Sequence, residues 1–589
     1  MSETPPKVKL DFKLLARVIN EARPYRLLFI GTLLLAIISA PISMLRPRVI
    51  NIMVDDYIIE NDLPGLYKMA LVFVGVMLLT VVFRYLLIYY SSLLGQSVIK
   101  DLRSKVFDQI TSLRMRYFDQ TAIGKSTTRT INDIETINTV FTQGIITMLA
   151  DILGIFAALG LMFYASWKLT LLCLTTIPLM IIATYIFKEK VKVSYQKVRA
   201  ELANMNAFLQ ERITGMKIIQ IFGAEEQEMS KFKAINRKYT SANLQAINYY
   251  ATFYPVVEFI NYLTIALLVY VGARYVINET VSIGALLVFP WYLNLLFRPI
   301  RMLADKFNTL QMGLIAAERV FNILDNRSYI KNKGQIKPEK IDGKIDFENV
   351  AFSYDGENDV LHDINFSLNP GETLAIVGST GSGKTTIINI LGRFYEIRKG
   401  QIKIDDTPLH KFELTALRRR MAIVLQDVFL FQGSVFDNIT LMDPSISKEN
   451  VLKAAMQIGA DVFIEKLPGG YDYEITERGA NLSMGQRQLI SFVRALVFDP
   501  DILILDEATS SIDTETEEII QYAIERLIAK RTSLIIAHRL STIKHADHIM
   551  VLDKGNLIEF GSHESLLSIE DGRYRELYEM QFAEEPLAV

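Results

Sequence analysis

Residues Gly378–Thr385 read GSTGSGKT. This is the spacing of a phosphate-binding loop: the glycines let backbone N–H groups close around phosphates, Lys384 reaches the outer ones, and Thr385 presents its hydroxyl to Mg²⁺. Ser379, Thr380, Gly381, Ser382 and Gly383 form the turn, and they are expected to bind ATP together with Thr386, which follows the loop. Such a loop joins a strand to a helix, so the flanking chain should be an α/β nucleotide-binding domain. Short β-rich runs (KIDFENVAFSY, TLAIVG, AIVLQD, ILILDE, TSLIIAH, HIMVLDKG) separated by helical stretches agree with that order. Asp506 and Glu507 end the strand ILILDE, an odd place for two acids unless they serve the phosphate loop. Phosphoryl transfer rests on positioning and charge neutralisation, so the site needs a cradle, a metal-holding carboxylate and a water-orienting group, and the chain supplies all three.

At 589 residues the chain exceeds one ordinary domain, and its character changes near residue 330. Lys plus Arg total 63 and Asp plus Glu 65, for a net charge of −2, which gives no support for a nucleic-acid partner. Hydrophobic residues make up 50% of the chain, and the mean hydropathy of +0.23 is high for a protein with a charged second half. The excess lies in the first half, where apolar segments at 26 to 52, 66 to 92, 141 to 165, 169 to 188, 255 to 276 and 284 to 304 each approach the ~20 residues that cross a bilayer. SVIKDLRSKVFDQITSL and KEKVKVSYQKVRAELANMNAFLQERI continue the second and fourth of these as polar helices. Lys100, Arg103, Lys105, Arg114, Arg116, Lys188, Lys190, Lys192, Arg212, Lys231 and Arg237 lie in the long loops, whereas VDDYIIENDLPG, ASWK and INETVS are short and poor in basic residues. The positive-inside rule therefore puts both termini and the long loops in the cytoplasm, in the inner (cell) membrane if the source is bacterial.

The N-terminus is polar and basic without a compact apolar segment, so no signal peptide is expected, and DFKLLARVI has the spacing of an amphipathic helix on a membrane surface. Cys173 is the sole cysteine and sits in an apolar run, which rules out an intrachain disulfide or a cysteine-rich metal site. NRSYIKNKGQIKPEKIDGKI reads as a linker. The expected chain is multidomain: an α-helical transmembrane domain of six spans with long cytoplasmic extensions over 1–325, a linker over 326–344, and an α/β P-loop domain over 345–589.

LSMGQ shortly before ILILDE, with His538 further on, resembles the ATP-binding cassette family, and the whole chain resembles a half-transporter of its exporter type. The resemblance implies that Tyr354 in FSYDG stacks on adenine, that Gln426 in VLQD senses Mg²⁺ and the γ-phosphate, and that Asp506 holds Mg²⁺ through water. Glu507 then polarises the attacking water and His538 contacts the γ-phosphate. Leu482–Gln486 should open a helix whose N–H groups and Ser483 hydroxyl meet a phosphate. In the family Ser483, Met484, Gly485 and Gln486 face the ATP held by a second subunit, so a dimer of half-transporters is implied. Met484 replaces the first glycine of the usual LSGGQ, and SSID, with Asp513 in the family's D-loop, replaces the commoner SALD. Similar departures occur in heterodimeric exporters, and homodimer and heterodimer both stay open.

RMRYFDQTAIGKSTTRTINDI resembles the family's first coupling segment through Tyr117, Phe118, Asp119, Gly124, Arg129, Asn132 and Asp133, and ERITGMKIIQIFGAEEQE the second through Glu211, Gly215, Phe222 and Glu225. Glu477, Arg478 and Gly479 resemble the loop that reads the second. Ionisable groups inside spans are costly and suggest function. Arg84 and Asp151 fall near the middle of their spans, where they can pair with each other or meet substrate. Glu258, beside Tyr254, Phe259 and Tyr262, suits a cationic amphiphile. The leading expectation is ATP-driven export of a lipid or an amphipathic drug-like molecule. An ATP-gated or regulatory membrane protein is the alternative, disfavoured by the presence of both Glu507 and His538. A soluble cassette ATPase of chromosome organisation is excluded by the spans, and an importer is disfavoured by the fusion of the two halves.

Overall fold

The computed structural model describes residues 11–330, 332, 334–506, 514–537 and 543–582. The chain forms two compact units, one of residues up to Thr111 with Gly124–Asn326, the other of Ser112–Ile123 with residues from Arg327 onward.

The first unit is helical. Among the described residues five helices are long and apolar enough to cross a membrane: Arg23–Ile58, Leu63–Ser112, Ile123–Ala165, Trp167–Thr214 and Glu225–Ile277. A sixth helix, Ile283–Leu324, has its apolar part at Ile283–Pro299. At 1.5 Å per residue, the 50 residues of Leu63–Ser112 run for about 75 Å, far beyond a bilayer core of about 30 Å, which accounts for the predicted polar extensions. None of the apolar window of that helix is buried, and Leu71 is 74% exposed, a surface that lipid rather than water can solvate. Helices approach closely where side chains are missing: a Cβ on Gly313 would stand 2.2 Å from Val140 Cγ2, and one on Gly95 2.2 Å from Asn138 Oδ1. Phe141, Ile134, Leu314, Ala317 and Val320 fill the core at this crossing. Buried Thr264 donates to Thr176 Oγ1 at 2.9 Å, a polar tie between the fourth and fifth helices.

The predicted surface helix is Phe12–Glu21, capped by Asp11. Its apolar face is partly consumed by protein: Val18 is buried, Arg17 makes a two-pronged ion pair with Asp325 at 2.7 Å, and its guanidinium lies 4.0 Å from the Phe321 ring. It therefore clasps the end of the sixth helix.

The second unit contains β1 (Ile345–Phe352), β2 (Leu361–Leu368), β3 (Thr373–Gly378), β4 (Lys399–Ile404), β5 (Thr407–Pro408), β6 (Met421–Val424), β7 (Gly433–Ser434), β8 (Glu474–Ile475), β9 (Ile502–Asp506), β10 (Thr532–Ile536), β11 (His548–Asp553) and β12 (Asn556–Gly561). Among the described residues they form an antiparallel sheet in the order β2-β1-β4-β5, a six-stranded sheet in the order β12-β11-β3-β10-β9-β6, and the pair β7-β8. In the six-stranded sheet only β12 is antiparallel to its neighbour. β3, β9 and β10 are buried almost throughout, as strands covered on both faces must be. One core fills the space around the antiparallel sheet and the phosphate-loop helix, with Phe347, Phe352, Ile387 and Ile504; the other, with Phe492, Ile490 and Ile520, lies against the remaining helices. The six β-rich runs read from the sequence all contain strands. β2, β4, β5, β7, β8 and β12 were not foreseen: LHDINFSL mixes polar with apolar residues, and the others are short or polar runs paired only by the fold.

Candidate functional site

The parallel register brings five strand ends to one edge: Leu552 pairs with Gly378, Ile536 with both Ile376 and Asp506, and Val424 with Leu505. Ligands of parallel sheets sit at this carboxyl edge. β3 ends at Gly378 and the helix Lys384–Leu391 begins six residues later, so GSTGSGKT is the connecting turn. Gly378 has φ 151 and Gly383 φ 107, and a Cβ would stand 2.2 Å from the Leu552 carbonyl oxygen at the first and 2.7 Å from Leu361 Cδ2 at the second. Glycine is therefore required sterically at both. Ser382 N–H donates to the Ser379 carbonyl at 3.1 Å, which closes the turn. The N–H groups of Gly381, Gly383, Lys384 and Thr385 donate to no acceptor among the described residues. A concave turn of unpaired N–H groups at a helix start fits an anion such as a nucleotide phosphate.

Lys384 Nζ folds back over this turn, donating to the carbonyls of Gly378 at 2.7 Å and Ser379 at 3.0 Å. Burial holds its pKa below the usual lysine value, against a smaller upward pull from the Asp506 carboxylate. Asp506, the last residue of β9, is half-buried, and Thr385 occupies the second position of the helix. Gln426 lies two residues beyond β6, exposed. Thr385, Gln426 and Asp506 are oxygen-bearing groups of the kind a hard Mg²⁺ ion takes. Glu507, Asp513 and His538 lie outside the described residues.

Tyr354 is held more firmly than a stacking role alone requires. Its hydroxyl is 3.2 Å from Thr386 Oγ1 and receives a bond from Asn389 Nδ2 at 3.3 Å, both on the phosphate-loop helix. Thr386, expected in the nucleotide set, thus turns its hydroxyl to Tyr354. The turn after Tyr354 is tied by Asp355, whose carboxylate accepts from the Ser353 hydroxyl (2.7 Å) and from the backbone N–H groups of Glu357 (2.8 Å) and Asn358 (2.9 Å). The Ser353 hydroxyl, then these N–H groups, hold that carboxyl well below its usual range, so it stays ionised throughout neutral pH.

Ser483 is the N-cap of the helix Met484–Val497: its hydroxyl accepts from Gln486 N–H at 3.2 Å, and Gln486 Oε1 accepts from Ser483 N–H at 3.0 Å. The Ser483 oxygen is thereby engaged as acceptor while its proton remains available to a phosphate. Gly485 is buried beneath the first turn. Met484 lines a cavity of about 300 Å³ with Gln426, Arg478 and Arg487. Arg478 adopts φ 57 and Gly479 φ 70, and Arg487 donates to the Gly479 and Leu482 carbonyls, which shapes the approach to that helix.

Tyr117, Phe118 and Asp119 lie on the short helix Met115–Gln120, grouped with the second unit. Asp119 accepts a hydrogen bond from the Tyr395 hydroxyl, and Arg116 reaches the Asp355 carbonyl at 3.5 Å. In the first unit Gly215 caps the fourth helix, and Phe222, at the end of Met216–Ile221, is 78% exposed.

The suggested pairing of Arg84 with Asp151 is not what forms. Asp151 pairs with Lys306 of the sixth helix, whose long side chain crosses to it, while Arg84 is exposed on the second. Glu258, Tyr254, Phe259 and Tyr262 are all exposed on the fifth helix, and Glu258 makes no ion pair among the described residues. Sequence reasoning missed Lys306, Asn389 and Tyr395, and read Arg116 only as a loop charge. Each is an ordinary polar or aromatic residue by spacing, and its partner lies far away in sequence.

Residues 28–300 match the family model described as ABC transporter transmembrane region, and residues 361–510 match the one described as ABC transporter. The chain is 40% identical to the ABC transporter ATP-binding protein YknV of Bacillus subtilis, over 96% of this chain and 94% of that one. It is 37% identical to a probable multidrug resistance ABC transporter ATP-binding/permease protein of the same organism, YheH, over 89% and 78% of the two chains. With an ATP-dependent lipid A-core flippase of Syntrophus aciditrophicus the identity is 33%, over 97% and 94%.

Proposed function

The chain belongs to the ABC transporter family, an integral multi-pass membrane protein with a transport-coupled ATPase domain, and from that premise we propose that it exports lipids or amphipathic drug-like molecules. It works as a dimer of half-transporters, with ATP enclosed between the phosphate loop of one subunit and the Ser483–Gln486 helix start of the other. The observation that carries this reading is a steric one: an anion cradle of unpaired N–H groups at the edge of a parallel sheet, in a chain fused to helices whose apolar surface only lipid can solvate. The names of two relatives, a multidrug resistance protein and a lipid A-core flippase, support the substrate class.

In this reading residues 1–325 form the transmembrane domain, 326–344 the linker and 345–589 the ATPase domain, with both termini in the cytoplasm. Tyr354 stacks on adenine, the Ser379–Thr385 turn binds phosphates, and Lys384 leaves its two carbonyls to neutralise the outer ones. Thr385, Gln426 and Asp506 are the residues that would hold Mg²⁺, which would supply charge neutralisation at the phosphates. Glu507 orients the attacking water, and His538 donates toward the γ-phosphate. Exposed Ile218, Ile221 and Phe222 give the Met216–Ile221 helix an apolar face suited to the ATPase domain of the second subunit.

The test is ATP turnover by the purified chain in lipid nanodiscs, with a panel of lipids and cationic amphiphiles. Glu507→Gln should keep ATP binding, slow hydrolysis by about 100-fold or more and trap a nucleotide-bound dimer. Near-normal turnover in that variant sinks the catalytic assignment. Absence of stimulation by any lipid or amphiphile sinks the substrate class.

A further inference from the structure

Tyr395 serves no role in the reading above, yet it stands between the proposed adenine-stacking residue and the Met115–Gln120 helix. Its ring meets Tyr354 edge-on, with centroids 5.0 Å apart at 87°, and Phe352 at 5.8 Å. Its hydroxyl donates to Asp119. Tyr354 in turn is pinned through its own hydroxyl to Thr386 and Asn389, so its ring cannot move without moving these contacts. The same short helix also reaches the residue that follows Tyr354, through Arg116 on the Asp355 carbonyl at 3.5 Å. Burial first, and the Asp119 carboxylate second, push the Tyr395 hydroxyl above its usual pKa, which keeps it a donor at every physiological pH.

We propose that Tyr395 is a positioning residue that passes the state of the Tyr354 ring to residues 112–123, so that this segment responds to the nucleotide base and not to the phosphates. The proposal rests on the reading of Tyr354 as the base-stacking residue. A base stacked on Tyr354 fixes that ring, the perpendicular contact fixes Tyr395, and the direction of its hydroxyl decides how firmly Asp119 is held. Phosphates alone occupy the 378–385 turn and leave this chain of contacts unloaded. Packing does not require the hydroxyl: a phenylalanine would fill the same place against Tyr354 and Phe352.

Hydrogen–deuterium exchange of the full-length chain in nanodiscs separates these cases, with Mg²⁺ plus either AMP-PNP or base-free tripolyphosphate. In the unmodified protein AMP-PNP should slow exchange in both 378–391 and 112–123, and tripolyphosphate in 378–391 only. Tyr395→Phe should retain the slowing at 378–391 and lose at least two-thirds of that at 112–123. Asp119→Ala, a change on an exposed helix position, should do the same and decides the matter if the tyrosine variant folds poorly. Full slowing of 112–123 in both variants overturns the proposal, as does equal slowing by tripolyphosphate or none with AMP-PNP. If AMP-PNP fails to slow 378–391 in the unmodified protein, the nucleotide reading itself falls, and the proposal with it.

Discussion

Tyr354 illustrates how a single side chain acquires its role from neighbours that sequence order conceals. Its hydroxyl bonds with Thr386 and Asn389 add to any stacking on a base. A hydrogen bond contributes about 1 kcal/mol, so Tyr354→Phe and Tyr354→Trp, which lose both, should each raise the KM for ATP by up to about thirtyfold, and Tyr354→Ala, which also removes the ring, by more. Steady-state ATPase kinetics would show this order, and equal losses in all three variants would favour strand packing. Lys384 presents the opposite situation. Its ammonium rests on two backbone carbonyls of its own loop, so Lys384→Ala should leave the turn closed while abolishing hydrolysis, measurable as retained thermal stability without turnover.

Among the elements, the helix Met484–Val497 has a start that serves both folding and chemistry. Ser483 and Gln486 satisfy each other's backbone N–H groups, so Ser483→Ala removes a cap at a cost of about 1 kcal/mol, or a few degrees of thermal midpoint. The phosphate role predicts a second, separable loss. Ser483→Asp restores the cap but places a carboxylate where a phosphate should approach, so stability should return while ATPase activity does not. Recovery of both would show that the serine acts only as a cap. The Met115–Gln120 helix is too short to stand alone and is held by long-range bonds from Tyr395, Arg116 and Arg114, the last donating its backbone N–H to Ser328 at 3.0 Å.

Across the whole molecule, long-range charge pairs tie helices that are apolar along their spans. The Asp151–Lys306 pair retains 28% and 17% side-chain exposure, so breaking it should cost less than the 3–5 kcal/mol of a fully buried pair, about 2 kcal/mol. Asp151→Ala should lower the thermal midpoint, and exchanging the two residues (Asp151→Lys with Lys306→Asp) should recover most of it. A functional role in place of a structural one would appear as normal stability with altered stimulation by amphiphiles. Glu258→Gln should do the reverse, leaving folding and basal ATPase activity intact while reducing stimulation by cationic amphiphiles, since Glu258 is exposed and makes no ion pair among the described residues. The subunit question turns on Met484, which opens the signature helix where glycine is usual. In a homodimer every site meets Met484, so Met484→Gly should keep or raise turnover of the purified chain; in a heterodimer it should change nucleotide retention at the partner's site and barely touch steady-state hydrolysis.

The phosphate loop, the spans and the hydrophobic runs that became parallel strands were legible in the sequence because each is a local pattern. GSTGSGKT needs its glycines at fixed spacing, a span needs its ~20 apolar residues in one run, and ILIL and TLAIVG are continuous hydrophobic stretches in strands covered on both faces. The helix opened by Ser483 was expected from LSMGQ, and the structure adds the reciprocal cap between Ser483 and Gln486. Tertiary structure alone decided the antiparallel sheet built from β2, β1, β4 and β5, since polar edge strands acquire their state from their neighbours. It decided that Asp151 meets Lys306 across 155 residues, and that Tyr395 meets Asp119 across 276. Local propensity and motif spacing reach only a few residues along the chain, whereas these pairings depend on which helix or loop the packing brings alongside.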